Sequence, residues 1–398
     1  MALLPVQDAL DRLLAGVGAL GGEPVKIDAA HGRVLAEDVA ATLDQPPFAA
    51  SAMDGYAIRW DDLPGPWRVI GQSAAGRGFG SAVGAGEAVR IFTGAPLPAG
   101  ADTVVVQEDI THADAVAALS GSGPPRRGAH IRAAGQDFAR GDRLAAAGDR
   151  LTPARIGLLA AAGHGTLSVV RRPRVTLIAT GDELVLPGTA PGADQIVSSN
   201  PAMLRALLEG VGAMVIDPGI IADDRAALAA ALTAADAELI VTTGGASVGD
   251  HDLVVPVLRD LGAEIDFWKI AMRPGKPMLA GRLGNTRVIG LPGNPVSAFV
   301  CALLFAVPML ARLGGRPATA PIEQLPLAAA LPANDQRRDH IRARRTAEGA
   351  LPFASQDSAR LGVLAAAELL IIREPGAAAA AAGECVACIA LDTFSAVS

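Results

Sequence analysis

Residues 174–183 read Arg-Val-Thr-Leu-Ile-Ala-Thr-Gly-Asp-Glu, an unbroken apolar run that ends in a glycine and two acids. A strand that is apolar along its whole length is one buried on both faces, as in a parallel sheet covered by helices. The pattern recurs downstream. Asn200-Pro201 caps a helix through Leu208, Val215-Ile216 starts a second strand, and Ala226 to Ala235 is an alanine-rich helix. Leu239 to Thr242 and Arg287 to Leu291 are further strands, and Asn294-Pro295 opens an apolar helix reaching Leu313. Strands alternating with helices predict a doubly wound α/β domain with a mostly parallel sheet over residues 173–315.

Working outward, residues 5–20 have helical spacing, with Val6, Leu10, Leu13, Leu14 and Val17 on one face. Thr152-Pro153 supplies an N-cap and a first-turn proline for a helix through Ala162. The two helices are expected to pack together in a discontinuous domain formed by residues 1–44 and 143–172. Between them, residues 45–142 alternate short β-favouring runs (Arg90 to Phe92, Thr103 to Val106) with glycine and proline clusters, which predicts a β-rich insertion domain. From residue 316 onward short β segments predict a small C-terminal β domain, with Ala377 to Ala382 as a loop or strand edge. The expected fold class is therefore mixed α/β and β, multidomain.

The chain has 398 residues, 51% of them apolar and 19% charged, which is ample for several buried cores. Its net charge of −7 gives no general surface for nucleic acid, so an anionic substrate needs a local group of cations or a metal. Three cysteines in 398 residues suggest a reducing compartment without a disulfide framework. Met1 to Pro5 lacks a basic leader pattern, and the apolar run Val296 to Leu310 is short for a bilayer and holds Pro308, so a cytoplasmic protein without a membrane span is expected.

In an open α/β sheet, ligands sit at the C-terminal ends of the strands. Four loops fall there: Thr180-Gly181-Asp182-Glu183; Gly219 to Asp223 and Asp224; Thr243-Gly244-Gly245-Ala246-Ser247-Val248-Gly249-Asp250-His251-Asp252; and Gly290-Leu291-Pro292-Gly293-Asn294-Pro295-Val296-Ser297. Close glycines with Ser247 can bring backbone amides to a phosphate, although the same letters also spell an ordinary glycine turn. Lys269-Ile270-Ala271-Met272-Arg273-Pro274-Gly275-Lys276-Pro277 sets three cations on a turn stiffened by two prolines, either a site for oxyanions or a solvated basic turn. Taken singly, each acid among Asp182, Glu183, Asp223, Asp224, Asp250 and Asp252 reads as a loop residue or helix cap. Together they would suit a bridging Mg²⁺. Gly245 to Gly249 also fits a serine-hydrolase elbow, but only His251 and His340 follow it, neither well placed for a triad. Cys385-Val386-Ala387-Cys388 lies in a strand pattern that sends its thiols to opposite faces, which favours buried structural cysteines over a metal or redox pair.

These loops, together with Pro47 to Ala57 (Pro-Phe-Ala-Ala-Ser-Ala-Met-Asp-Gly-Tyr-Ala), Phe92 to Pro98 and Ala179 to Leu184, resemble the molybdopterin molybdenumtransferase (MoeA / gephyrin E-domain) family along nearly the whole chain. The resemblance implies a transferase of molybdenum cofactor biosynthesis that inserts molybdate into adenylylated molybdopterin, with Mg²⁺-dependent release of AMP. It implies a homodimer in which the α/β domain of one subunit faces the β-rich insertion of the other, which gives roles to Asp54, Thr93 and Asp137. Gly181, Asp182, Gly244, Gly245, Ser247, Gly249, Pro292, Gly293 and Asn294 would hold the nucleotide end. Glu183, Asp223 and Asp252 would hold the metal, and Lys269, Arg273, Lys276 and Ser297 would receive molybdate and phosphate. An upstream adenylyltransferase and downstream apo-molybdoenzymes are the implied partners. Two departures stand out: Arg273 occupies a position where many relatives carry lysine, and Ala367-Glu368-Leu369-Leu370 lacks the family's Asn-Gly. The rival readings are molybdopterin adenylyltransferase, whose single domain resembles residues 173–315, and a non-catalytic scaffold.

Overall fold

A computed structural model describes residues 3–244, 253–318 and 322–391, the side chain of Trp268 excepted. The chain forms two compact units, residues 24–169 and residues 1–23 with 170–398.

The first unit is built on a six-stranded sheet in the order Thr103–Val106, Gly55–Ile58, Glu87–Ile91, Trp67–Ser73, Val116–Leu119, Ile110–Ala113. Neighbours run antiparallel except Glu87–Ile91 with Trp67–Ser73, which are parallel. Gly55 is fixed by the tight approach of its neighbour, because a Cβ there would lie 1.9 Å from Val105 O. Ile58, Trp67 and Val105 fill one apolar cluster, and Ala57, Ile91 and Val104 another. In the same unit the helix Pro153–Ala161 starts as its sequence predicts, with Thr152 Oγ1 accepting from Arg155 N at 3.3 Å. Its Leu159 is buried with Leu35, Leu151 and Val169.

The N-terminal helix corrects the expectation that it packs on Pro153–Ala161. It spans Val6–Leu14 and buries Val6, Ala9, Leu13 and Leu14 in the same cluster as Val175, Leu204 and Met309 of the α/β region. Arg312 Nη1 donates to Leu14 O at 3.2 Å and Leu20 N to Leu313 O at 2.8 Å, so both the helix end and the following turn are anchored there. The helix stops well short of residue 20, and Gly16 takes φ +69° just past its end.

The central sheet runs Met214–Ile216, Arg174–Thr180, Leu239–Thr243, Thr286–Leu291, Leu279–Leu283, Glu264–Trp268, with Ile220–Ile221 also beside Arg174–Thr180. The first four strands are parallel, and Leu279–Leu283 pairs antiparallel with both of its neighbours. Helices cover both faces, as the apolar strands require. Asn200–Gly210 and the 19-residue helix Pro295–Leu313 pack into one cluster, and Arg225–Ala234 with Val254–Asp260 into the other. By length and composition Pro295–Leu313 could cross a membrane, contrary to the reading of its sequence as too short, but 83% of an apolar 18-residue stretch of it is buried as the core helix of this domain. Ala179, Thr243 and Leu291 are level in register, and Thr180 lies one residue beyond, which gathers the loops that follow at one edge.

The C-terminal sheet takes its first strand from the α/β region. Its order is Met272–Arg273, Arg338–Thr346, Leu369–Arg373, Cys385–Ala390, Ile322–Pro326, with Gly349–Pro352 also on Arg338–Thr346. Met272 and Arg273 lie parallel to Arg338 and Asp339, so the cationic turn is stitched into the next domain. Cys385 is exposed, which corrects the expectation that both cysteines are buried. Cys388 is buried, and that burial pushes its thiol up to about 11.

Candidate active site

A cavity of about 580 Å³ opens at the C-terminal edge of the central sheet. Thr180, Glu183, Thr243, Gly244, Pro277, Pro292, Gly293 and Asn294 line it, so each strand-end loop of the α/β region that is described there contributes except the one holding Asp223. Gly244 is the position where backbone geometry matters most. Its φ is +90°, and a Cβ would lie 2.5 Å from Thr180 O. Gly245, Ser247, Gly249 and Asp252, expected to complete the phosphate loop and the metal ligands, lie outside the described residues.

Asp182 and Asp223 are brought together but do not line the cavity. Asp223 N donates to Asp182 Oδ1 at 3.1 Å and Asp182 N to Asp223 Oδ2 at 3.4 Å, so each carboxylate holds the other loop's backbone. Gly181 makes the turn between them and the strand, with Leu184 N donating to Gly181 O at 3.1 Å. The Glu183 carboxylate folds back over Gly181, where a Cβ would stand 2.5 Å from Glu183 Oε2. Asp224 is a helix cap, its Oδ1 accepting from Ala227 N at 2.8 Å. Among the described residues no three His, Cys, Asp or Glu side chains are grouped to hold a metal ion. Ser297 is buried in the first turn of Pro295–Leu313 and does not face the cavity.

The cations have a different environment. Ile270 N donates to Lys276 O at 3.0 Å and closes the turn, and Lys269 holds φ +138°, unusual for a residue with a side chain. Pro277 lines the main cavity, while Lys276 lines a second pocket of about 320 Å³ with Leu3, Asp335, Gln336 and Arg337. Arg273 lines neither. It pairs with Asp335 and, through Nη1 at 3.3 Å, with Asp339 Oδ2. Arg337 Nη2 reaches the same Asp335 Oδ2 at 3.0 Å, and the Arg337 side chain and amide hold the Asp335 carboxyl below its usual range. Burial raises Asp339 against the opposing pull of Arg273.

In the β-rich unit Asp54 and Thr93 form a compact pair. Asp54 Oδ1 accepts from Thr93 N at 2.7 Å and Thr93 Oγ1 at 2.8 Å, and these bonds, the backbone one first, lower its pKa. Asp137 is exposed in the turn before Phe138, with its amide on Gln45 O at 2.9 Å.

The sequence reading missed Asn200, which it took for a helix cap. The cap position is Ser199, and Asn200 Nδ2 instead donates to Thr243 Oγ1 at 2.9 Å and Gly293 O at 2.7 Å, joining three loops in the cavity wall. The available signal was the repeat of Asn-Pro at 200–201 and 294–295, each opening a helix at this same edge.

Family models match the chain in three consecutive stretches: the MoeA N-terminal region (domain I and II) at 4–163, "Probable molybdopterin binding domain" at 176–312, and the MoeA C-terminal region (domain IV) at 324–391. A molybdopterin molybdenumtransferase of Haemophilus influenzae is 39% identical over 74% of this chain and 73% of its own. The chain belongs to the MoeA family. A molybdopterin molybdenumtransferase 2 of Mycobacterium tuberculosis is 40% identical over 74% of this chain and 75% of its own. A solved MoeA molybdopterin biosynthesis protein from Pyrococcus horikosii superposes with a TM-score of 0.86 at 30% identity, covering 98% of this chain and 99% of that one. The MoeA likeness thus runs through both compact units and the C-terminal sheet.

Proposed function

We propose that this molybdenumtransferase takes adenylylated molybdopterin and molybdate, inserts the metal, and releases AMP. The observation that carries the reading is the juxtaposition at Lys276-Pro277, where consecutive residues line a cationic pocket and the glycine-walled cavity. Gly244, Pro292, Gly293 and Asn294 give the nucleotide end a wall of backbone and amide groups. Lys269, Lys276 and Arg273 lower the cost of bringing one anion beside another in a chain of net charge −7. Ser297 is left out of that set because it is buried. No covalent enzyme intermediate is required, and the buried Cys301 thiol is raised by desolvation and unsuited to attack.

The all-carboxylate set Glu183, Asp223 and Asp252 suits Mg²⁺, and among the described residues Asp223 Oδ1 accepts no hydrogen bond while Oδ2 accepts the Asp182 amide. Bound there, Mg²⁺ would screen the phosphates from each other. The reading keeps domains at 45–142, 173–315 and 316–398, counts the N-terminal helix with the α/β core rather than with 143–172, and includes a homodimer whose partner subunit supplies the Asp54, Thr93 and Asp137 region. It places the chain in the cytoplasm, after an adenylyltransferase and before apo-molybdoenzymes. The test is AMP release from purified adenylylated molybdopterin with Mg²⁺, with and without molybdate. Molybdate-dependent release, yielding a product that activates an apo-molybdoenzyme, is the expected result. Synthesis of adenylylated molybdopterin from ATP instead would move the chain to the preceding step.

A further inference from the structure

Arg342 lies mid-strand in Arg338–Thr346 and is wholly buried, on the sheet face it shares with its register partner Leu370. Leu370 belongs to the apolar cluster that includes Val296, Phe305 and Met309, so the guanidinium lies at an apolar junction with the α/β core. A buried charge is costly unless its hydrogen bonds are used. Here Nη2 donates to Asp357 O at 3.3 Å, while Nε and Nη1 have no hydrogen-bond partner among the described residues. No apolar core needs such a group. What it touches is the segment 356–358, which is tied to the same strand position from a second direction. Gln356 Oε1 accepts from Arg342 N at 2.9 Å, and Gln356 Nε2 donates to Arg342 O at 3.0 Å and Phe353 O at 2.9 Å.

One residue further on, the segment meets the cavity wall from behind. Asn294 Nδ2 donates to Ser358 Oγ at 3.2 Å, and Val296 N donates to Ser358 O at 3.2 Å. Asn294 lines the cavity, whereas Arg342, Gln356 and Ser358 do not. We propose that Arg342 is a positioning residue for the active site, holding segment 356–358 against Asn294–Val296 and so fixing the Asn294 side of the ligand cavity. This inference rests on the reading of that cavity as the site for adenylylated molybdopterin. A guanidinium suits the task because it is planar, permanently charged and rich in donors, so it can pin a carbonyl in one place.

The test compares Arg342→Met, Gln356→Ala, Ser358→Ala and the double variant Arg342→Met/Ser358→Ala in the full chain. Two readouts are taken: KM and kcat for adenylylated molybdopterin, and hydrogen exchange at the Val296 amide. In the single variants KM is expected to rise about tenfold with kcat within about twofold, the signature of lost ground-state positioning. Exchange at Val296 is expected to quicken by about tenfold or more while Val241, in the central strand, is unchanged. The double variant is expected to be no worse than Arg342→Met, because both cut one chain of contacts. Unchanged exchange at Val296 in Arg342→Met, or effects on KM that multiply in the double variant, would overturn the inference. If Arg342→Met does not fold, Gln356→Ala decides, and an unaltered KM and exchange there overturn it equally. If the wild type binds no substrate, the function reading fails, and Val296 exchange alone decides whether Arg342 holds the wall.

Discussion

The turn after Arg174–Thr180 and the turn after Glu264–Trp268 belong to one sheet, carry opposite charge and are held in opposite ways. The acidic turn is self-sufficient: Asp182 and Asp223 exchange backbone hydrogen bonds inside the α/β region, and Glu183 faces the cavity. The cationic turn is held from outside. Met272–Arg273 forms a strand of the C-terminal sheet, and Arg273 is engaged by Asp335 and Asp339, more than sixty positions downstream in the chain. An acid edge built from local backbone tolerates changes elsewhere, whereas a cationic edge built across a domain junction responds to them.

The largest expected effect probes the acidic side and its counterpart in the β-rich unit. Asp223→Ala and Asp54→Ala should fold as the wild type does and slow AMP release by about a hundredfold or more, as expected when a preorganised electrostatic group is lost. Circular dichroism with steady-state assays checks both, and full activity in both would sink the residue assignment while leaving the family intact. Next is Gly244→Ala. At φ +90° with Thr180 O in the way, it should cost about 1–3 kcal/mol in urea unfolding and weaken AMP binding. Wild-type values for both would mean that the cavity wall is more pliant than its geometry implies.

A smaller effect separates the two edges directly. Asp335→Asn removes the carboxylate that Arg273 and Arg337 share, so equilibrium dialysis should show molybdate binding severalfold tighter, about two- to fivefold. Weaker binding would show instead that Asp335 arranges the cations for the anion. The same change should leave AMP affinity alone if the edges are independent. The smallest effect at neutral pH concerns His340, whose burial, aided by Arg338, depresses its pKa to about 3. Its folded pKa lies below the unfolded value of about 6.5, so its stabilising contribution is complete above that pH. It is lost as pH falls from about 6.5 toward 3, with a slope of at most about 1.4 kcal/mol per pH unit. Unfolding titrations of His340→Leu should lose that part of the acid dependence, and an unchanged profile would place the titration elsewhere.

Much of the α/β region was legible because a doubly buried strand must be apolar along its length, and glycine must follow where strand ends crowd. Thus Glu183, Gly244 and Gly293 could be read from sequence onto the cavity edge. Asn200 was misread because Asn-Pro also spells a helix start, and only the fold shows its amide spanning two other loops. The stripe on Val6–Leu14 says that the helix is half buried but not in which core. Asp54 and Thr93 were singled out in advance only through family resemblance, and their pairing across 39 positions is seen only in the fold. The Arg273–Asp335 and Arg342–Asp357 contacts, 62 and 15 positions apart, are encoded by no periodicity either.

The most direct test of the central claim, that nucleotide and oxyanion occupy adjoining but separate sites, is a crystal structure with AMP and tungstate, the latter located by its anomalous signal. The account predicts AMP between Gly244 and Asn294 and tungstate beside Lys276 and Arg337. AMP bound on the Lys276 side, or tungstate lodged among Thr243, Gly244 and Asn200, would contradict it.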